Sequence, residues 1–416
     1  MRTAAEAIWS AAITAVLPER LVERHLSLDD LSLAEDARSA AVDRIAVVGA
    51  GKAAAGMAAG IVALLGAERL ARHRVSGLVS VPVGCGRSLA GIEVRETRPA
   101  GANLPTPAVV QATQEMLAAV AALGPRDLVI ALITGGGSAL LAAPQAGVSL
   151  EEKIAVTRRL SAAGADIATL NAARRKMSLV KGGGLARACA AGRMIVVVLS
   201  DVIGNDLDVI ASGPCMPPAP TLPVGVWTTP TGCAVRHVIV GDNSTAVAAA
   251  AAAARQAGYE VVPGVVGPEL SAEATGRQLA AATVALLAAT RRDGRPRALI
   301  AGGEATVTVP ADHGVGGRNQ QTVLVAIDAV RSTLGSWPEG LLVASIGTDG
   351  EDGPTDAAGA VADAGVVAAI DAQRLDVGRA LARCDAYPLL NAAGGLIRTG
   401  PTGTNVADVR IVLAQP

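Results

Sequence analysis

The chain has 416 residues, a formal net charge of -1, 51 % hydrophobic residues and 18 % charged ones. That length suggests two domains, the composition excludes a disordered chain, and a near-neutral balance without a basic block argues against nucleic acid as a main partner. Aromatic residues make up only 1 %, with no phenylalanine, so the cores must be packed by alanine, valine, leucine and isoleucine, and an extended base-stacking groove is disfavoured.

The mean hydropathy of +0.42 raises the question of a membrane. The least charged stretch, Leu128 to Leu150, contains Gly135, Gly136, Gly137 and Pro144. It reads as strand, loop and helix start, so no span is expected. The N-terminal segment has Glu6 early and no clean apolar core before a cleavage site. It reads as an amphipathic helix rather than a signal peptide, and a cytoplasmic location is expected. Five cysteines, at 85, 189, 215, 233 and 384, and four histidines, at 25, 73, 237 and 313, form neither a disulfide framework nor a zinc pattern.

In chain order, residues 3–40 read as helical, with Asp29, Asp30 and Ser32 as cap residues. A short strand over 44–48 runs into Gly49-Ala50-Gly51-Lys52 and an alanine-rich helix to about Leu70. Strand, glycine turn and helix together open a nucleotide-type α/β domain. Strands are predicted over 75–82 and 91–97, and a helix over 107–121. The apolar run 127–133 predicts a parallel-sheet strand, leading into Thr134-Gly135-Gly136-Gly137-Ser138. A helix from about Leu150 leads to Asn171-Ala172-Ala173-Arg174-Arg175-Lys176, and Lys181 to Gly184 opens a short helix. A strand over 194–199 ends in Ser200-Asp201, and prolines between Pro214 and Pro230 mark a linker or long loop. A second unit is predicted to begin near Val235, with strands over 238–240, 261–263, 298–301 and 342–346.

Five apolar strands thus run into small or acidic loops: Gly49–Lys52, Thr134–Ser138, Ser200–Asp201, Gly302–Glu304 and Gly347–Asp352. Since ligands bind at the carboxyl ends of strands in open α/β sheets, the repetition points to a shared ligand cleft. Lys52 follows a glycine turn suited to an anion, although the P-loop pattern is absent. Gly49, Gly51 and Ala54 fit a dinucleotide fingerprint weakly, with Glu68 as its ribose partner. Thr134 to Ser138 suits a phosphate or carboxylate nest. Arg174, Lys176 and Lys181 read either as a solvated face or as a substrate anion clamp. Asp201, with Asn205 and Asp206 nearby, reads as a Mg²⁺ ligand or as a cap. Glu304 and Asp349 are further metal candidates, and Arg318, followed by Asn319 and Gln320, suits a transferring phosphoryl group.

These segments, together with Ser212-Gly213-Pro214, Gly241-Asp242-Asn243, Gly302-Gly303-Glu304 and Thr399 to Val406, resemble the glycerate 2-kinase family with a C-terminal MOFRL domain. Members of that family also carry the name hydroxypyruvate reductase. The resemblance spans nearly the whole chain. It implies phosphorylation of D-glycerate at its 2-hydroxyl with ATP and Mg²⁺. It also implies a Rossmann-like α/β N-terminal domain with a parallel sheet and a smaller α/β C-terminal domain, with the active site in the cleft between them. Lys52 and Arg318 match the family's key lysine and arginine.

The expected domains are residues 1–234 and 235–416, the MOFRL-type part covering about 296–410. The expected catalytic set is Lys52, Arg318 and Asp201. The expected substrate or phosphate set comprises the loops at Gly49, Gly51, Thr134 to Ser138 and Gly302-Gly303, with Arg174, Lys176, Lys181, Asn205, Asn319 and Gln320. The expected metal set is Asp201, Glu304 and Asp349. The partner is a small sugar acid, with no nucleic acid or membrane, and the chain a monomer or homodimer. Where family members carry histidine–proline–x–proline–aspartate, this chain has Leu104-Pro105-Thr106-Pro107-Ala108, which places the open question on the substrate. The alternatives are an NAD(P)H-dependent reductase of hydroxypyruvate or tartronate semialdehyde and a non-catalytic sugar-acid or nucleotide-binding regulator.

Overall fold

The computed structural model describes residues 1–31, 33, 42–99, 104–162, 167–217, 225–264 and 270–416. It divides into two α/β units. One comprises Leu17–Asp242 and Gly403–Asn405; the other comprises Met1–Val16, Asn243–Thr402 and Val406–Pro416.

In the first unit, seven strands form one sheet among the described residues: β1 (Ile45–Ala50), β2 (Ser76–Pro82), β3 (Ile92–Arg98), β4 (Leu128–Thr134), β5 (Arg193–Leu199), β6 (Trp227–Thr228) and β7 (Ala234–Gly241). Their order is β3-β2-β1-β4-β5-β7-β6. All neighbours are parallel except β6 and β7. This is a doubly wound, Rossmann-like sheet, and its strand order reverses between β1 and β4. Every residue of β4 is buried, as its uninterrupted apolar run predicts for a strand covered on both faces. Val129, Ala131 and Ile133 share a core cluster with Met116, Val120 and Val196.

Helix Ala54–Arg72 is long and apolar enough to cross a membrane, the one such helix among the described residues. Its buried residues, Met57, Ile61 and Leu65 among them, pack as those of a core helix. The helix expected over residues 3–40 breaks at Pro18 into Arg2–Ala15 and Pro18–His25, because proline cannot continue a helix but suits the start of the next. Asp30 then closes a turn, accepting from the backbone and hydroxyl of Ser27. Ser32, residues 34–41 and the part of the proline-rich stretch at 218–224 lie outside the described residues.

In the second unit, six described strands form β8 (Glu260–Pro263), β9 (Arg297–Gly303), β10 (Leu341–Gly347), β11 (Gly359–Ala362), β12 (Leu396–Ile397) and β13 (Asp408–Ala414). Their order is β12-β11-β10-β13-β9-β8, antiparallel except for β8 with β9. Helices Ala272–Asp293 and Arg318–Leu334 pack together, and Leu279, Leu286, Val323 and Ile327 join Val343 and Val412 in the core.

Three expectations change here. The strand near Val238, read as opening the second unit, is β7 of the parallel sheet, paired with β5 through Val197 and Val238. Residues 1–16 belong with the C-terminal part, where Arg2–Ala15 lies on helix Asn243–Gln256. An apolar strand or helix face reveals that it is buried but not which sheet receives it. For the same reason the five strand-end loops, read as one arrangement, divide between two sheets, three in the first and two in the second.

Candidate active site

In the first unit the ends of β1, β4 and β5 come together at the switch point. Gly51 has φ +137°, and a β-carbon there would run into the Thr134 side chain, so only glycine lets the turn close over β4. The Gly51 N–H donates to the Ser80 carbonyl at 3.2 Å and the Lys52 N–H to the Gly135 carbonyl at 2.9 Å. The two glycine loops are therefore laced to each other. The Lys52 side chain passes over the second loop, since a β-carbon on Gly136 would lie 3.5 Å from Lys52 Cγ. A β-carbon on Gly135 would collide with the Asp201 carboxylate and the Asn405 amide. Asn405 Nδ2 donates to Asp201 Oδ2 at 3.2 Å. Lys52, the Gly135–Ser138 turn and Asp201 thus occupy one place, and a C-terminal residue orients the acid.

Thr134 turns inward and is fully buried, its hydroxyl without a partner. Asn205, at φ 58°, donates to Asp242 at 2.6 Å and ties the loops after β5 and β7 together.

Beside this place lies a cavity of about 210 Å³ lined by Leu104, Pro105, Ser138, Lys153, Arg174 and Lys181. Lys153 faces it from helix Leu150–Ala162, whose start is fixed by a capping box between Ser149 and Glu152. Thr157, one turn later, shares that face. Lys153 Nζ reaches the Met177 and Arg174 carbonyls at 3.3 and 3.4 Å. Lys181 Nζ donates to Ser138 Oγ at 2.6 Å, the Ser138 carbonyl at 3.1 Å and Ser212 Oγ at 3.3 Å. Burial pushes the Lys153 ammonium down to about 8, with Arg174 adding repulsion. Burial, then Lys153, Arg174 and Arg175, hold Lys181 well below the usual lysine range.

The three cations at 174–176 part company. Arg174 faces the cavity, Arg175 pairs with Asp208 at 2.6 Å, and Lys176 is exposed. Sequence reasoning missed Lys153, because a lysine on an otherwise amphipathic helix carries no signal of which way it points. Of the departing stretch 104–108, Leu104 and Pro105 line the cavity. Thr106 caps helix Pro107–Ala121, accepting from the Val109 N–H, and Ala108 is exposed.

In the second unit Arg318 begins helix Arg318–Leu334 and is held by two carboxylates. Its Nη1 lies 2.6 Å from Glu304 Oε1 and its Nη2 2.9 Å from Asp408 Oδ1. Burial opposes the charge, but Asp408 and Glu304 outweigh it and hold the guanidinium well above its ordinary value. Helix Arg318–Leu334 has no side-chain cap from Gly317. The buried Asp352 carboxylate takes that role from a distant loop, accepting the Asn319 and Gln320 N–H groups, both at 2.9 Å. Asn319 also donates to Asp408 and accepts from Ser345. Gln320 donates to the Asp352 carbonyl and Thr355. Asn319 and Gln320, expected to bind substrate or phosphate, are therefore buried in the support of Arg318. Asp408, absent from the expected set, is its central partner.

Gly302 accepts from Arg410 at 2.8 Å and the Gly303 N–H donates to Asn243. Asp349 is buried and accepts from the Glu351 N–H. A wider cavity of about 720 Å³ opens beside Arg318 and Glu304, with Val307, Val309 and Pro354 in its wall. The dinucleotide reading loses its acid: Glu68 is exposed within helix Ala54–Arg72, whereas a ribose partner belongs at the end of the second strand, which here is Pro82.

Residues 4–226 match the pattern described as "Domain of unknown function (DUF4147)", and residues 297–408 match the MOFRL family. The chain belongs to the glycerate kinase family. A protein named D-glycerate 2-kinase from Thermotoga maritima is 34 % identical, the alignment covering 98 % of this chain and 96 % of that one. A relative from Agrobacterium vitis under the provisional name hydroxypyruvate reductase is 36 % identical over 89 % of this chain and 87 % of its own. The crystal structure of glycerate kinase from Thermotoga maritima superposes with a TM-score of 0.81 at 32 % identity, covering all of both chains.

Proposed function

We propose that the chain transfers the γ-phosphoryl group of ATP to the 2-hydroxyl of D-glycerate, giving 2-phosphoglycerate and ADP. The observation that carries this reading is Lys52 lying across the Gly135–Ser138 turn at the β1/β4 switch point. A lysine side chain crossing a run of backbone donors suits phosphoryl oxygens, whose transfer is catalysed by positioning and charge stabilisation. The full-length relationship to a protein named D-glycerate 2-kinase supports the substrate and the position of transfer. Lys52 neutralises charge on the transferring group, and the glycine-loop N–H groups hold its oxygens.

Mg²⁺ delivered with a nucleotide keeps several waters and needs one or two carboxylates beside the phosphates. Among the described residues no group of three or more His, Cys, Asp or Glu gathers around a cation position. Asp201, partly buried and oriented by Asn405, fits such a single-carboxylate role. The ion would supply charge neutralisation on the phosphates. Glu304 is engaged by Arg318, so its use as a ligand requires that pair to open; Asp349 is the remaining candidate in that unit.

The test is purified protein with ATP, Mg²⁺ and D-glycerate, set against NADH with hydroxypyruvate. ADP should appear in the first mixture only, and phosphorus NMR should place the phosphate on C2. Hydroxypyruvate-dependent NADH oxidation without ADP formation would overturn the kinase reading.

A further inference from the structure

We propose that the cavity lined by Lys153, Arg174 and Lys181 is the carboxylate pocket for the acceptor, taking a short hydroxy acid by its acid end. The inference rests on the kinase reading for the identity of the acid, but its physical basis is separate.

Lys153 is 4 % exposed and Lys181 2 %. Among the described residues their side-chain partners are neutral: carbonyls of residues 138, 174, 177 and 211 and the hydroxyls of Ser138 and Ser212. Among the described residues the Arg174 guanidinium donates to the Asn171 amide oxygen alone, at 3.5 Å. Among the described residues no carboxylate pairs with any of the three or lines the cavity. Buried charges are ordinarily paired, because leaving water costs several kcal/mol per ion. Three cations converging on a cavity without a counter-ion leave that cost unrecovered until an anion enters. The same cause lowers the proton affinity of Lys153 and Lys181.

The cavity favours a carboxylate over a nucleotide's phosphates. Leu104, Pro105, Ala139 and Ile154 form an apolar wall, and a volume of about 210 Å³ suits a small molecule rather than a nucleotide. A magnesium-bound polyphosphate also requires carboxylates for its cation, and the described residues of this lining include none. Ser138 belongs both to the cavity and to the glycine turn under Lys52. An acid held here would therefore lie next to the turn proposed for the phosphoryl group.

Calorimetric titration of the full chain with D-glycerate tests the assignment, with and without a non-hydrolysable ATP analogue. Glycerol, which lacks the carboxylate, and inorganic phosphate serve as controls. D-glycerate should bind and glycerol should not. Lys153→Met should weaken D-glycerate at least tenfold, Lys153→Arg should restore most of the loss, and affinity for the ATP analogue should change less than twofold. Leu104→Trp, which narrows the cavity without touching a charge, should also block D-glycerate and covers the case of a lysine variant that fails to fold.

Unchanged D-glycerate affinity in Lys153→Met, a loss falling instead on the ATP analogue or phosphate, or no D-glycerate binding by the parent protein under either condition would overturn the assignment. Binding without ADP formation leaves the pocket standing and removes the kinase reading. ADP formation with unaltered KM for glycerate in Lys153→Met does the reverse.

Discussion

Two clusters of buried charge, one in each unit, are neutralised in opposite ways. In the parallel-sheet unit Lys153, Arg174 and Lys181 face a cavity, and their side-chain partners among the described residues are neutral. In the other unit Arg318 is met by Glu304 and by Asp408, whose side chain is 0 % exposed. An unpaired buried cation is a binding site in waiting. A cation already neutralised by two acids is a fixed piece of architecture, able to meet a ligand only with its remaining donors. The contrast separates residues whose loss should affect ligands from residues whose loss should affect the fold.

The largest expected effect follows from the paired side. Arg318→Ala leaves Asp408 buried without its cation and should destabilise the chain by about 3–5 kcal/mol, in addition to any effect on turnover. Lys52→Ala should reduce kcat by a factor on the order of 10²–10³ while denaturant unfolding stays close to that of the parent. Equal stability in the two variants would break the comparison, since Arg318 would then not be holding the second unit together. Family resemblance alone treats Lys52 and Arg318 as one catalytic pair, and retaining the fold in both variants would be the expectation from sequence.

Much of the first unit was legible in the sequence. The β4 run and the two glycine loops announce a parallel sheet because burial on both faces leaves no alternation and because each turn needs residues without a β-carbon. Arg174 and Lys181 were legible as cations near glycine turns. Lys153 was not, because helical periodicity locates an apolar stripe and says nothing of a lysine turned inward. Asp408 and Asp352 were hidden for a different reason. They support Arg318 from 90 and 34 residues away in sequence, and long-range pairing leaves no local pattern. Leu104 was visible as a departure, and its place in the cavity wall gives that departure a physical meaning.

A smaller effect should come from Asp352. Burial, resisted by the Asn319 and Gln320 N–H groups, raises its carboxyl to about 6. In the unfolded chain it titrates near 4, so between pH 4 and 6 the native state holds a proton that the unfolded state has released. Stability from this group is complete below about pH 4 and is lost as pH rises through 6, by about 3 kcal/mol in all. Asp352→Asn should flatten that part of the stability–pH curve even though the amide caps the helix less well. A slope unchanged by the substitution would assign the titration to other groups.

The smallest effect sharpens the unpaired side of the comparison. With Lys153 titrating at about 8 beside Arg174 and Lys181, an acid bound in the cavity must recruit a protonated lysine. From pH 7 to pH 9 the free protein loses that proton, and the affinity for D-glycerate should fall about tenfold, one proton being linked to one anion. Arg174 keeps its charge across this range, so binding should weaken rather than vanish. In Lys153→Arg the guanidinium does not titrate below pH 9, and the fall should become shallower. A parent profile flat from pH 7 to 9 would mean that the ammonium is already held charged by something other than the ligand, and the distinction between the paired and the unpaired cluster would lose its basis.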